Sequence, residues 1–161
     1  MKNLSKFESL KIKNNYIMKK IMTFIVSAII LAPMAFADDK PFDFNKLPAV
    51  AKEFITKYFP NDKAIVTTVD DDLVRPDYEV ILQSGAKIGF DHGGALEKVD
   101  MREGAVPAGI VPEQIMVYLS AHYPDAAIVE YEVGKNDFEV KLTNSLELKF
   151  NSAFKLIGID D

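Results

Sequence analysis

Apolar residues recur at three- and four-residue steps in two stretches of the chain, and at two-residue steps through most of the sequence after each stretch. In the first, Leu47, Val50, Ala51, Phe54, Ile55, Tyr58 and Phe59 fall on one face of a helix, with Lys52, Glu53, Thr56 and Lys57 on the other. Pro48 suits the first turn because its missing N–H would be unpaired there, and Pro60 stops the helix. So short a helix is marginal in water alone. Burying its apolar face against a sheet supplies on the order of 10 kcal/mol before entropy is subtracted.

The sheet comes directly after the helix. Residues 64–69 are rich in β-branched side chains and run into Asp70-Asp71-Asp72, which predicts a strand and a polar turn. Tyr78, Val80 and Leu82 alternate with Glu79, Ile81 and Gln83; Ser84-Gly85 turns the chain; Ala86, Ile88 and Phe90 alternate with Lys87, Gly89 and Asp91. His92-Gly93-Gly94 gives a second tight turn before a last short strand at 96–99.

The pattern then restarts. Val111-Pro112 and Tyr123-Pro124 bracket a second helix in which Tyr118, Leu119, His122 and Tyr123 take the places of Phe54, Ile55, Tyr58 and Phe59. Phe138-Glu139-Val140 matches Tyr78-Glu79-Val80, Leu148 and Phe150 match Ile88 and Phe90, and Leu156 matches Leu96 at constant spacing. Repeat 1 carries about four extra residues in the acidic loop 70–77, by comparison of the two repeat periods. The predicted class is α+β: two tandem repeats, each one helix packed on a four-stranded antiparallel sheet. Repeat 1 with its lead-in spans 38–100, a linker 101–110, and repeat 2 111–161.

This doubled Pro-bracketed helix, followed by a strand, a [YF]-E-V strand, an aromatic-ended strand and a short closing strand, resembles the PepSY-like, beta-lactamase-inhibitor-like family of small exported bacterial proteins. The resemblance covers nearly all of the chain after residue 37. It implies an α+β fold whose open sheet face binds another protein. It does not imply a beta-lactamase as that partner, since the inhibitor itself is disulfide-bonded and this chain has no cysteine.

Composition changes the picture at the N-terminus. Met18-Lys19-Lys20, the apolar run 21–31 and Ala35-Phe36-Ala37 form a secretory signal peptide, 18–37, with cleavage expected after Ala37. The run is short of the roughly 20 apolar residues that a membrane anchor needs. Residues 1–17 read as an over-long start ahead of Met18, and the absence of cysteine excludes a lipid-attached form. Removing 1–37, with six lysines and one glutamate, leaves 124 residues carrying 13 basic and 23 acidic side chains, a net charge of −10. That charge disfavours nucleic acid and anionic lipid, so no nucleic-acid partner and no stable membrane insertion after signal cleavage are expected. The expected location is periplasmic or secreted.

Candidate chemistry is sparse. His122 falls at Tyr58's position on the core side of a helix, and His92 in a glycine-rich turn; neither has a second ligand nearby in sequence. Asp70, Asp72 and Asp77 are weak candidates for a cation such as Ca²⁺, but the loop lacks the Asp-x-Asp-x-Asp-Gly pattern and its closing Glu. No nucleophile elbow, phosphate loop, dinucleotide fingerprint or zinc-protease motif occurs, so no enzyme activity and no cofactor are expected.

A binding surface is the better expectation. If Tyr78, Val80, Leu82, Ile88 and Phe90 face the helix, then Glu79, Ile81, Gln83, Lys87 and Gly89 take the open face. Phased from Val129, Tyr131 and Val133 inward and Ile128, Glu130 and Glu132 outward, the first strand of repeat 1 adds Ala64, Val66 and Thr68 to that face. Glu139, Lys141, Glu147 and Lys149 make the same face of repeat 2 heavily charged. The predicted site is therefore Val66, Thr68, Glu79, Ile81, Gln83 and Lys87, and the partner a protein or peptide in the cell envelope. Two alternatives stand beside it: the lead-in aromatics Phe42 and Phe44 or a second copy of the chain cover this patch, or the acidic loop 70–77 binds a ligand or cation.

Overall fold

A computed structural model describes residues 39–70 and 74–161; the leader expected at 18–37 and Asp72 lie outside the described residues. The described residues build one sheet and two helices: β1 (Lys40–Pro41), a 3-10 turn (Phe44–Lys46), α1 (Ala49–Tyr58), β2 (Ala64–Val69), β3 (Tyr78–Leu82), β4 (Lys87–Phe90), β5 (Leu96–Asp100), α2 (Glu113–His122), β6 (Ile128–Val133), β7 (Asp137–Leu142), β8 (Glu147–Asn151) and β9 (Leu156–Asp160). The nine strands lie in chain order, each antiparallel to the next. The sheets of the two halves merge, because β5 pairs with β6 through Lys98↔Glu132, Val99↔Tyr131 and Asp100↔Glu130.

Directly opposed residues share a face of the sheet, so Val99 and Tyr131 put both cores, and both helices, on the same side. Leu47, Ala51, Ile55 and Phe59 of the first helix segment meet Val80, Leu82, Ile88, Phe90 and Val99. Val111, Ile115 and Leu119 meet Ile128, Tyr131, Val140, Leu142, Leu148 and Phe150. Leu96, Val106 and Ile110 pack against both clusters. The linker is thus a packed element: Met101 and Val106 donate their N–H groups to the carbonyls of Val129 and Ile128. Tyr58 also reaches it, its hydroxyl donating to the Gly109 carbonyl at 3.0 Å.

The buried helix stripe is narrower than the apolar pattern predicts. Residues four apart point straight at the sheet, whereas Val50, expected in the apolar face, is 57% exposed. Pro48 and Pro112 occupy the cap positions just before the helices. Phe59 and Tyr123 end them, each donating its N–H to the carbonyl four residues back. Phe54 and Tyr118 flank the stripe and stand edge-on against Phe90 and Phe150 at 5.6 and 5.5 Å, the same contact in each half.

The β4–β5 turn closes against the start of α1. A β-carbon on Gly94 would lie 2.6 Å from the Pro48 side chain, and Gly94 has φ +85°, so two independent constraints select glycine there. The second half instead places Phe154 at φ 58°, its ring stacked on Phe138 at 5.3 Å.

The strand phase expected for β2 and β6 is corrected by bulges. In β2 the register shifts between Ala64 and Val66, and in β6 between Ile128 and Glu130. The extra residue leaves two side chains opposite one. Ala64 and Ile128, expected outward, pack into the cores, while Ile65, expected inward, is 60% exposed. Val129 takes the bulge position of β6 and is half-buried, not a core residue. Tyr131 and Val133 do face inward.

Phe54→Ala removes the edge-on contact with Phe90 and the contacts with Tyr58 and Phe59. Because Phe54 is only partly buried, the expected cost by chemical denaturation is about 2–4 kcal/mol, somewhat below the roughly 3–5 kcal/mol of a fully buried aromatic. A cost under about 1 kcal/mol would show that α1 does not anchor the first core.

Candidate functional site

Among the described residues both helices lie on one side and the other side of the sheet is open, and its two halves differ in chemistry. In the first half Val66 lies opposite Ile81, Thr68 opposite Glu79, and Lys87 opposite Asp100. The β2 bulge adds Ile65 beside Val66, so two exposed β-branched residues face Ile81. Val66, Thr68, Glu79, Ile81 and Lys87 therefore share this face, and Gln83 lies at the end of β3 on the rim of the same surface. Ile65, Arg102 and Asp100 complete it. Periodicity could not have found Ile65; the β-branched run Ile65-Val66-Thr67-Thr68-Val69 is unbroken and does not itself show the phase of the strand.

Ile65, Ile81, Gln83, Lys87, Asp100, Arg102 and Glu103 line a groove of about 620 Å³, and Val66, Thr68 and Glu79 lie on the same face outside its lining. Gly85 shapes one end: it has φ +88°, and a β-carbon there would lie 2.7 Å from Arg102 Cδ, so the arginine stem lies across the β3–β4 turn. The lead-in does not cover this surface. Phe42 packs on Tyr78 at 5.2 Å, and both Phe42 and Phe44 join the first core on the helix side.

The second half, together with Lys98 of β5 at the seam, carries a lattice of ion pairs instead. Lys98 contacts Glu130 at 2.5 Å and Glu132 at 3.6 Å, Lys141 contacts Glu147 at 2.5 Å, and Lys149 contacts Glu139 at 2.5 Å and Asp137 at 3.0 Å. Glu132 and Glu139 face each other directly, and the flanking Lys98 and Lys149 offset their repulsion. Hydrogen bonds to Glu130, Glu147 and Glu139 respectively raise the pKa of Lys98, Lys141 and Lys149, so each stays protonated. Exposed pairs of this kind add little stability, but their side chains fill the surface; the cleft among Glu130, Glu132, Glu139, Lys141 and Glu147 is only about 40 Å³.

The remaining candidates separate. His92 is an exposed turn residue. His122, expected on the core side, is exposed: its ring stacks on Tyr118 at 4.1 Å, with Nδ1 2.8 Å from the Tyr118 carbonyl oxygen. At the β2–β3 loop the Asp70 carboxylate accepts the Asp77 backbone N–H at 3.0 Å, which closes the hairpin. Glu97, at the bulge of β5, has its pKa raised first by burial and then by Asp77, Asp91 and Glu132. Among the described residues no three histidine, aspartate or glutamate side chains converge as a metal site, and no helix is long and apolar enough to cross a membrane.

Residues 76–158 match a protein family described as "Putative beta-lactamase-inhibitor-like, PepSY-like". No curated protein matches the chain. Three crystal structures are similar to it. A "putative periplasmic protein" of Bacteroides vulgatus ATCC 8482 is 38% identical over 79% of this chain and 100% of its own, with a TM-score of 0.75. A "putative calcium-regulated periplasmic protein" of Bacteroides thetaiotaomicron is 40% identical over 77% and 98%, with a TM-score of 0.74. A second Bacteroides vulgatus protein, a "putative periplasmic protein of unknown function", is 30% identical over 76% and 99%, with a TM-score of 0.72.

The burial of Glu97, with the carboxylates near it, has a pH signature. Its folded pKa lies above its unfolded one, so the folded chain binds more protons between the two values and stability falls as pH rises through that window. Glu97→Gln is expected to raise the melting temperature at neutral pH, and the gain should vanish in acid, where the wild-type carboxyl is protonated in both states. A gain that persists undiminished in acid would assign the effect to packing.

Proposed function

We propose that this chain, which belongs to the PepSY-like, beta-lactamase-inhibitor-like family of periplasmic proteins, is a non-enzymatic binding module that recognises a protein or peptide through the open sheet face of its first half. The observation that carries this reading is the asymmetry of that face. A groove of about 620 Å³, lined by Ile65 and Ile81 together with polar and charged side chains, lies beside a surface filled by ion-paired side chains. Charge depletion at the centre with a polar rim is the composition of an interface, and a saturated ion-pair lattice is that of a solvated surface. Val66, Thr68, Glu79, Ile81, Gln83 and Lys87 are the proposed contacts, with Ile65 and Arg102 added by the structure. The non-enzymatic reading rests on the side chains available: no cysteine, and two exposed histidines on separate elements.

A second reading is a cation-responsive module. One similar protein is described as calcium-regulated, and in this chain the Glu97 carboxyl has its pKa raised first by burial and then by the negative charges of Asp77, Asp91 and Glu132, a field that a bound divalent cation would offset. It stands second because the carboxylates do not converge into a ligand set among the described residues. Calorimetric titration with Ca²⁺ separates the two: heat lost in Glu97→Gln and Asp77→Asn would favour the cation.

The binding reading predicts the behaviour of Val66→Asp with Ile81→Lys. The two positions are directly opposed, so the new charges can pair across the strands and leave the fold intact. Wild-type protein immobilised in envelope extract of its host should retain a partner that the double variant does not, at an unchanged melting temperature. Equal capture by both proteins would place the binding surface elsewhere.

A further inference from the structure

The two edges of the sheet are built differently. At one, β1 is two residues long, Lys40–Pro41, and pairs with β2; a charged residue and a proline without an N–H make a poor template for another strand. At the other, β9 runs five residues, Leu156–Asp160, and exposes two large apolar side chains, Ile157 and Ile159. Such an edge invites a further strand.

The first half shows what a strand in this position accepts. β9 stands in the second half where β5 stands in the first, with the same register against the preceding strand and the same bulge: Gly89↔Lys98 and Phe90↔Leu96 in one, Lys149↔Gly158 and Phe150↔Leu156 in the other. β5 is covered by β6, and Val99, paired with Tyr131, is 0% exposed. Ile159 holds Val99's place opposite a buried leucine, on the helix side, yet is 48% exposed.

We propose that the β9 edge is a homodimer surface, in which β9 of a second copy adds antiparallel across a two-fold axis at Ile159. A two-fold contact must be self-complementary, and β9 is. With Ile159 opposite its own copy, the two half-exposed isoleucines cover each other as Tyr131 covers Val99. Each Asp160 falls opposite the copy's Gly158, so no like charges are directly opposed across the junction. One strand pair with one apolar contact per chain is a small interface, so the dimer forms at high micromolar concentration and above. Because the copies are both acidic, salt strengthens it by screening their repulsion. This surface is separate from the groove of the proposed function.

Sedimentation velocity on the chain without its leader, from micromolar to near-millimolar concentration at low and high salt, tests the proposal. The expected result is a reversible dimer that grows with salt, and a monomer throughout for Ile159→Lys. Because the chain has no cysteine, Ile159→Cys supplies a second test: under mild oxidation it should link to itself, and Ile157→Cys, which is not opposed by its own copy, should link far less. A wild-type monomer at every concentration and salt overturns the proposal and leaves the edge to a strand from a different protein. Dimerisation unchanged in Ile159→Lys, or equal linking at 157 and 159, overturns it as well.

Discussion

Three cross-strand pairs between β5 and β6 determine what this molecule can present to its surroundings. Each half has a single helix and four full strands, and a core of that size is marginal by itself. The β5–β6 pairs put Val99 and Tyr131 back to back on the helix side, and the linker closes over the seam with Val106 and Ile110 in contact with both cores. The two halves therefore support each other, and both helices lie on one side. A sheet covered on one side exposes the other along its whole width, and only the side chains of the alternate positions decide what that side does.

Those alternate positions differ in chemistry between the halves, whereas the buried ones of β3 and β4 keep their apolar character, Val80, Leu82, Ile88 and Phe90 answering to Val140, Leu142, Leu148 and Phe150. Phe54 on Phe90 and Tyr118 on Phe150 repeat within 0.1 Å, and the bulges recur at equivalent places. On the open side, Gly89 and Lys98 of the first half become Lys149 and Gly158 of the second, and Ile81 becomes Lys141. Packing tolerates little change in volume, whereas an open face tolerates any residue that a strand accepts. The two repeats thus carry one grooved surface with exposed isoleucines and one ion-paired surface on a common frame.

Much of this frame is legible in the sequence, and the failures have identifiable causes. Helices and hairpins are readable from periods of 3.6 and 2, because each reports which side of one element meets the core. A bulge adds one residue and inverts the phase on one side of it, which is why Ala64 and Ile128 turn inward and Ile65 outward. Val50 fails because the stripe that touches the sheet has a four-residue repeat, narrower than the apolar face. His122 fails through its equivalence with Tyr58, which is itself peripheral and reaches out to Gly109. The merging of the halves has no local signature at all, since β5 and β6 are separated by a linker and a helix. Glu79, Ile81, Gln83 and Lys87 come from alternation in β3 and β4, whose mutual pairing is regular, and Val66 and Thr68 from the part of β2 past its bulge; Ile65 and Arg102 require the bulge and the linker path.

If a partner in the cell envelope occupies the open face of the first half and leaves that of the second half bare, the two faces must differ in accessibility inside the cell. Since the chain lacks cysteine, a single thiol placed at Ile81 or at Lys141 reports on each surface alone. The direct measurement is the rate of thiol labelling at these two positions, in intact host cells with a reagent that enters the periplasm and again in the purified protein. Ile81→Cys should be strongly protected in cells and reactive when purified, while Lys141→Cys reacts alike in both. Equal reactivity of Ile81→Cys in the two settings would mean that no partner covers the groove.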